Sequence, residues 1–346
     1  MILDDLKYIH TKDASDAFGA VAKQPAQLNL HLKVQGEAAS QSINSIVFAA
    51  MGGSAVAAMI AQSWIPFSIP LEMWRRYSGP EYLSERSLCI ISSYSGNTEE
   101  SLSAFDAALS KKAPIAVITG GGKLAEKAQK HGCLLVLLPD IPHPRYGVFA
   151  NLVALLNILQ VIGLCSDLKT AKNRLSDASE LLETECKNWL PEIPAKNNPA
   201  KQLALELAGT TPIIYAGEKM FPAAYKWKLA FNENAKNLAW CNEIPEFCHN
   251  EFSGWTSHPV EKAFSVVDLY SAFEHPQILK RFELSAQLLS GKRPHPFRVS
   301  GKGKNVLEHV LYLSLLGDFV SLYVAILNGI DPMPLPYVDK LKSALA

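Results

Sequence analysis

SLCIISSYSGNTEESL, residues 87–102, is the stretch on which the fold of this 346-residue chain turns. Ser87 to Ser92 is a near-continuous apolar run of strand length, Ser93 to Asn97 is polar and turn-forming, and helix formers follow from about Thr98 to Leu109. A strand without polar alternation is covered on both faces, which predicts a parallel sheet between layers of helices. The same pattern repeats outward. Ser45 to Ala50 reads as a strand, Met51-Gly52-Gly53 as a turn and Ser54 to Trp64 as a helix. Pro114 to Thr119 and Cys133 to Leu138 read as further strands, with a helix from Gly122 to Lys130 between them. The predicted fold class is therefore α/β, with three-layer α/β/α units around doubly wound, flavodoxin-like parallel sheets.

A helix near Leu175 to Trp189 precedes a charged, Pro-rich stretch at 191–201 that reads as a linker. A second alternating unit follows. Thr211 to Gly217 echoes the first strand and its glycine, and Ala263 to Leu269 echoes the strand at 87–92. This is the pattern of an internal duplication with unequal chemistry: where the first copy has its polar loop, the second reads Tyr270, Ser271, Ala272, Phe273. The expected boundaries are an N-terminal helical segment at 1–40, a first domain at 41–165, a helical linker at 166–200 and a second domain at 201–346.

Lysine plus arginine and aspartate plus glutamate both total 33, so no global field attracts nucleic acid or an anionic membrane. The N-terminal MILDDLKYIHTKD has no apolar core of a signal peptide. The apolar stretches Gly147 to Ser166 and Val306 to Ile330 are interrupted by Asn151, Asn157 and Gln160 and by Glu308 and Asp318, and read as buried core helices. Six cysteines without CxxC pairs fit a reduced, cytoplasmic chain.

Ser93, Ser95 and Thr98 place three hydroxyls within six residues, between a buried strand and a helix. In an open parallel sheet, ligands bind beyond the carboxyl ends of the strands, and a helix start offers free N–H groups and a positive dipole end to a phosphate. Gly96 lets the chain turn sharply towards the anion. Gly53 and Ser54, at another strand-to-helix junction, would add a fourth hydroxyl. A plainer reading makes Asn97 an N-cap with Glu100 three residues on, which needs no ligand. Glu99 and Glu100 would repel a phosphate if they faced it.

MGGSAV at 51–56 and SSYSGNTEESL at 92–102 are similar to the signature of the sugar isomerase (SIS) domain. HPRYG (143–147), NENAKN (232–237), NEIPEFCHNE (242–251) and GDFVSLYVAILNGIDP (317–332) extend the likeness. Together they resemble the bifunctional phosphoglucose/phosphomannose isomerases, over roughly positions 45 to 342. That resemblance implies two SIS-type units and an aldose–ketose isomerase of glucose 6-phosphate, mannose 6-phosphate and fructose 6-phosphate that uses no metal or other cofactor. It also implies phosphate binding by Gly53, Ser54, Ser93, Ser95 and Thr98.

Such an isomerase opens a sugar ring and moves a proton between C2 and C1 through an enediol, which needs a carboxylate or imidazole at the carbon. Glu233, near the end of a helix from Phe221 to Lys236, is the candidate base; locally it also reads as an exposed glutamate paired with Lys236 or Asn237. His249 suits ring opening. With Cys241 and Cys248 it is also a possible metal-ligand set, but the spacing is poor for zinc. Arg145 reads equally as an enediolate stabiliser, a phosphate ligand or a partner of Asp140. By resemblance, Glu233 is the base, Arg145 stabilises the enediolate, His249 reaches the partner subunit's site in a homodimer, and Lys342 contacts the ring oxygen, with Lys340 as its register-shifted competitor. After Asp331-Pro332 the chain departs from the family pattern, reading Met333, Pro334, Leu335. Two other readings are an ammonia-dependent enzyme of the glucosamine-6-phosphate synthase or deaminase type and a sugar-phosphate-sensing regulatory SIS protein. A sensor would not need Glu233, His249 and Lys342 together.

Overall fold

Among the described residues of the computed structural model (1–38, 42–164, 168–257 and 263–345), ten strands form two sheets. The chain divides into two compact units, one of residues 24–180 and one of residues 1–23 with 181–346.

The unit of residues 24–180 holds β1 (Val34–Gln35), β2 (Ser45–Ala50), β3 (Leu71–Trp74), β4 (Ser87–Ser93), β5 (Ile115–Thr119) and β6 (Leu134–Leu137). Their order is β1-β6-β5-β4-β2-β3, parallel throughout except for β1 on β6. Without the short antiparallel edge strand, this is the flavodoxin-like arrangement expected from the sequence. β4 and β5 are buried at every position, as their unbroken apolar runs require. On one face Val47, Ala49, Cys89, Ile91 and Val117 pack against Ala104, Phe105 and Ala108 of helix Glu99–Ser110 and Leu124 and Ala128 of helix Gly122–Lys130. On the other, Ser92 donates its hydroxyl to Asn151 of helix Val148–Val161 at 2.7 Å.

In the second unit β7 (Thr211–Gly217), β8 (Trp240–Ile244), β9 (Phe264–Tyr270) and β10 (Phe297–Ser300) are all parallel in the order β10-β9-β7-β8. Read from its other edge, this repeats β3-β2-β4-β5 of the first sheet, so the duplicated pattern is matched by a duplicated topology. The buried helix Val306–Leu327 lies against helices Phe221–Glu233 and Pro199–Leu207 of the same unit. It is the one helix among the described residues long and apolar enough to cross a membrane, and 94% of its most apolar window is buried.

Two expected boundaries change. The N-terminal segment at 1–40 is divided. Phe18 packs on Tyr323 at 4.7 Å between ring centroids, and Asp4 accepts the N–H of Ala195 at 2.7 Å, within the unit of residues 1–23 and 181–346. Gln27 instead donates to the Tyr146 carbonyl at 2.8 Å, and β1 pairs with β6, in the unit of residues 24–180. The stretch at 191–201 is packed rather than a loose linker. Asn198 caps helix Pro199–Leu207 through the N–H groups of Ala200 and Lys201, and Pro199 sits in its first turn, where no amide hydrogen is needed. Lys201 is fully buried and donates to the Pro191 carbonyl at 2.7 Å.

Candidate active site

The first sheet reverses its strand order between β2 and β4, and a ligand crevice forms at such a switch point. Two helices start there, Gly52–Trp64 after β2 and Glu99–Ser110 after β4, and neither has a side-chain cap among the described residues. Their first N–H groups and positive dipole ends are thus left for an anion. Ser93 is buried, with its hydroxyl 2.9 Å from that of half-buried Thr98. Ser95 is exposed and accepts the N–H of Asn97 at 3.3 Å, and Ser54 stands half-buried in the first turn of its helix.

The plain capping reading of Asn97 does not hold. Thr98 occupies the N-cap, and the Asn97 side-chain Oδ1 accepts the N–H of Lys123 at 3.1 Å, in the first turn of the neighbouring helix Gly122–Lys130. Glu99 accepts the hydroxyl of exposed Tyr77 at 2.9 Å, an engagement on the protein surface. Gly96 has φ +66°, and a Cβ there would lie 1.8 Å from the Gly121 carbonyl oxygen. The loop is thereby seated on the turn after β5, with Gly120 N–H bonded to Tyr94 O and Leu124 N–H to Gly96 O, both at 2.9 Å.

Arg145 joins this edge through contacts that its spacing in the sequence does not announce. The Tyr94 phenol oxygen accepts the N–H of Ile141 at 2.6 Å and donates to the Pro139 carbonyl at 3.1 Å, which ties the hydroxyl loop to the segment leading to Arg145. Burial raises the Tyr94 pKa, keeping the phenol protonated as a donor. Arg145 is buried; its Nε donates to His143 Nδ1 at 2.9 Å, and its guanidinium lies over the Tyr146 ring. A Cβ on Gly53 would stand 3.6 Å from the Arg145 Cα, so the turn after β2 meets the arginine backbone. Tyr94 and His143 are the positioning residues that sequence reading missed; the available signals were the tyrosine inside the loop and the histidine two residues before the arginine.

In the other unit, Glu233 is the half-buried last residue of helix Phe221–Glu233. The helix and motif that carry it are bonded to helix Val306–Leu327 and to the residues just after it. Gly317 leaves room for the Trp227 ring, and Trp227 Nε1 donates to the Leu313 carbonyl at 2.7 Å. Buried Lys226 pairs with buried Asp318, and Asn234 donates to the Ser321 hydroxyl at 2.9 Å. Lys236 donates to the carbonyls of Asp331 and Pro332 at 2.9 and 2.7 Å, just ahead of helix Pro336–Leu345. The side chain of Lys342, on that helix, lies outside the described residues.

His249 is exposed at the end of a short 3₁₀ turn, Glu246–His249. Asn242 closes the surrounding loop by donating to Glu251 at 2.6 Å, and the Tyr215 hydroxyl bonds the same carboxylate at 2.7 Å. Arg293 lies over the rings of Phe247 and Tyr215, fixing the turn from beneath. Among the described residues no group of three or more His, Cys, Asp or Glu is arranged to hold a metal, and Cys241, Cys248 and His249 do not form one.

Residues 196–345 match the family described as the bacterial phospho-glucose isomerase C-terminal SIS domain. Over 322 residues the chain is 33% identical to the bifunctional phosphoglucose/phosphomannose isomerase of Caldicellulosiruptor bescii, covering 92% of this chain and 93% of that one. The chain belongs to the bifunctional phosphoglucose/phosphomannose isomerase family. The Aquifex aeolicus member is 31% identical over 303 residues, 87% of this chain and 90% of its own. Among solved structures, a glucose-6-phosphate isomerase like protein from Thermus thermophilus superposes with a TM-score of 0.64 at 18% identity, over 99% of this chain and 98% of that one, and so shares the fold. For a bifunctional phosphoglucose/phosphomannose isomerase family member, the paired motifs have a physical meaning. NENAKN and GDFVSLYVAILNGIDP are complementary halves of one packing interface that fixes the end of the Glu233 helix.

Proposed function

We propose that this chain is an aldose–ketose isomerase that interconverts glucose 6-phosphate and mannose 6-phosphate with fructose 6-phosphate. The observation that carries the reading is 33% identity, over 92% of the chain, with a relative named for both activities. Ser54, Ser93, Ser95 and Thr98, with the backbone at Gly53, hold the phosphate at the uncapped helix starts. Held there, the sugar is positioned so that proton transfer becomes effectively intramolecular. His249 and Lys342 assist ring opening, Glu233 carries the proton between C2 and C1, and buried Arg145 stabilises the enediolate charge. Rotation within the enediol presents either face of C2 to the same base, which accommodates both aldoses. The reaction needs no metal, and the enzyme acts in the cytoplasm. A coupled assay of fructose 6-phosphate formation is expected to give turnover from each aldose, unchanged by chelator; strong chelator inhibition would overturn the metal-free mechanism.

The active unit is a homodimer in which exposed His249 serves the partner's site. Glu233→Gln and His249→Ala chains, each inactive alone, are expected to recover about a quarter of wild-type activity when refolded together. Random pairing makes about half the dimers mixed, and each mixed dimer carries one site with both residues intact. A mixture that stays inactive places both residues in the same subunit's site.

A further inference from the structure

The duplicated topology sets a second candidate anion cradle in the unit of residues 1–23 and 181–346. β7 and β9 take the places of β2 and β4, and again two helices start at the switch point: Phe221–Glu233 after β7 and Pro276–Leu288 after β9. The 13-residue helix from Phe221 has no side-chain cap from its own N-cap residue, Met220. Its N-terminus is not vacant, because Glu274, from the loop after β9, reaches back across the switch point. Its carboxylate accepts the Met220 N–H at 3.0 Å and lies so close to the end of β7 that a Cβ on Gly217 would stand 2.4 Å from its carboxyl carbon. Lys219 ties the two loops together by donating to the Phe273 carbonyl at 2.8 Å. Glu274 is 4% exposed, and its Oε2 is buried with no hydrogen-bond partner among the described residues. A carboxylate buried with one oxygen unsatisfied is costly to keep. A helix N-terminus that favours a negative charge accounts for its place.

We propose that the second unit carries a latent oxyanion site plugged by the chain's own Glu274 carboxylate, and that this plug restricts the protein to one sugar-phosphate site per chain. The first unit's junctions offer several hydroxyls; in the second, buried Ser271 is engaged by His309 Nδ1 at 3.0 Å and by the Phe273 N–H, and the chain supplies a built-in carboxylate. This rests on reading Ser93 to Thr98 as the phosphate cradle, and the test separates the two.

Glu274→Ser removes the carboxylate and leaves a hydroxyl at the cradle. Inorganic phosphate titrated into the wild-type protein is expected to shift the backbone amide resonances of residues 93–98 and leave those of 217–220 in place. In the Glu274→Ser protein both sets should shift, and the binding stoichiometry should double from one to two phosphates per chain. Shifts confined to 93–98 in both proteins overturn the plug while leaving the cradle intact. No shift of 93–98 in either protein, with shifts of 217–220 in the variant, refutes the cradle and supports the plug. If the variant does not fold without added anion, its refolding yield should rise with phosphate and not with chloride of equal ionic strength. No rescue by phosphate overturns the proposal.

Discussion

Glu233→Gln is expected to lower kcat for both aldose 6-phosphates by about 10³-fold while KM stays within a few-fold of wild type. Glutamine fills the same volume and keeps a hydrogen-bonding oxygen but cannot accept the C2 proton. A loss of this size corresponds to about 4 kcal/mol of transition-state stabilisation. The substitution leaves untouched the groups that hold the end of its helix, namely Lys226 on Asp318, Trp227 on the Leu313 carbonyl and Asn234 on Ser321. The thermal midpoint should therefore match wild type, and phosphate binding at Ser93 to Thr98 should persist. Coupled kinetics and a melting curve on the same preparation check this; wild-type turnover would remove Glu233 from the mechanism.

Gly96→Ala is expected to damage both stability and substrate affinity. The left-handed φ of +66° costs a non-glycine residue about 1–2 kcal/mol. The added carbon would stand 1.8 Å from a backbone oxygen, so loop and turn must separate, at a further cost of about 1–3 kcal/mol. Separation breaks the hydrogen bonds between the loop and the 120–124 segment and moves Ser93 and Thr98 away from the helix start. Loss of one hydrogen bond to a charged phosphate weakens binding by about 1.5–3 kcal/mol, so KM should rise at least about tenfold along with the fall in Tm. Gly53→Ala is the control. Its Cβ would meet the Arg145 Cα at 3.6 Å, an ordinary contact, and the fold should survive. An equal fall in Tm from both substitutions would show that the close seating of Gly96 is unimportant.

The central strands were legible in the sequence because burial on both faces demands continuous apolar runs: β2, β4, β5 and β6 in one sheet and β7 and β9 in the other all appear where those runs lie. β1, β3, β8 and β10 were not read. They are edge strands of two to five residues, largely only half-buried, so no sustained apolar run marks them, and the alternation of Phe297-Arg298-Val299-Ser300 is too short to stand out. The helix at Pro199 was misread for a related reason. Proline and asparagine signal a loop by composition but a helix start by position, and position became clear only once Asn198 was seen capping Ala200 and Lys201.

By itself, the sequence determined the α/β class, the duplication, the hydroxyl loop after β4 and the family, because local periodicity and contiguous motifs are carried in chain order. Only the tertiary structure decided that Asn97 caps a neighbouring helix, that Tyr94 and His143 place Arg145, and that the NENAKN and GDFVSLYVAILNGIDP motifs are each other's packing partners. It alone decided too that Glu274 lies where the second unit's anion cradle would be. Apart from His143 and Arg145, which are two residues apart, each of these contacts joins residues from different elements. A side chain's partner is set by which backbone amides and carbonyls the sheet brings within about 3 Å, a distance in space that no spacing along the chain encodes.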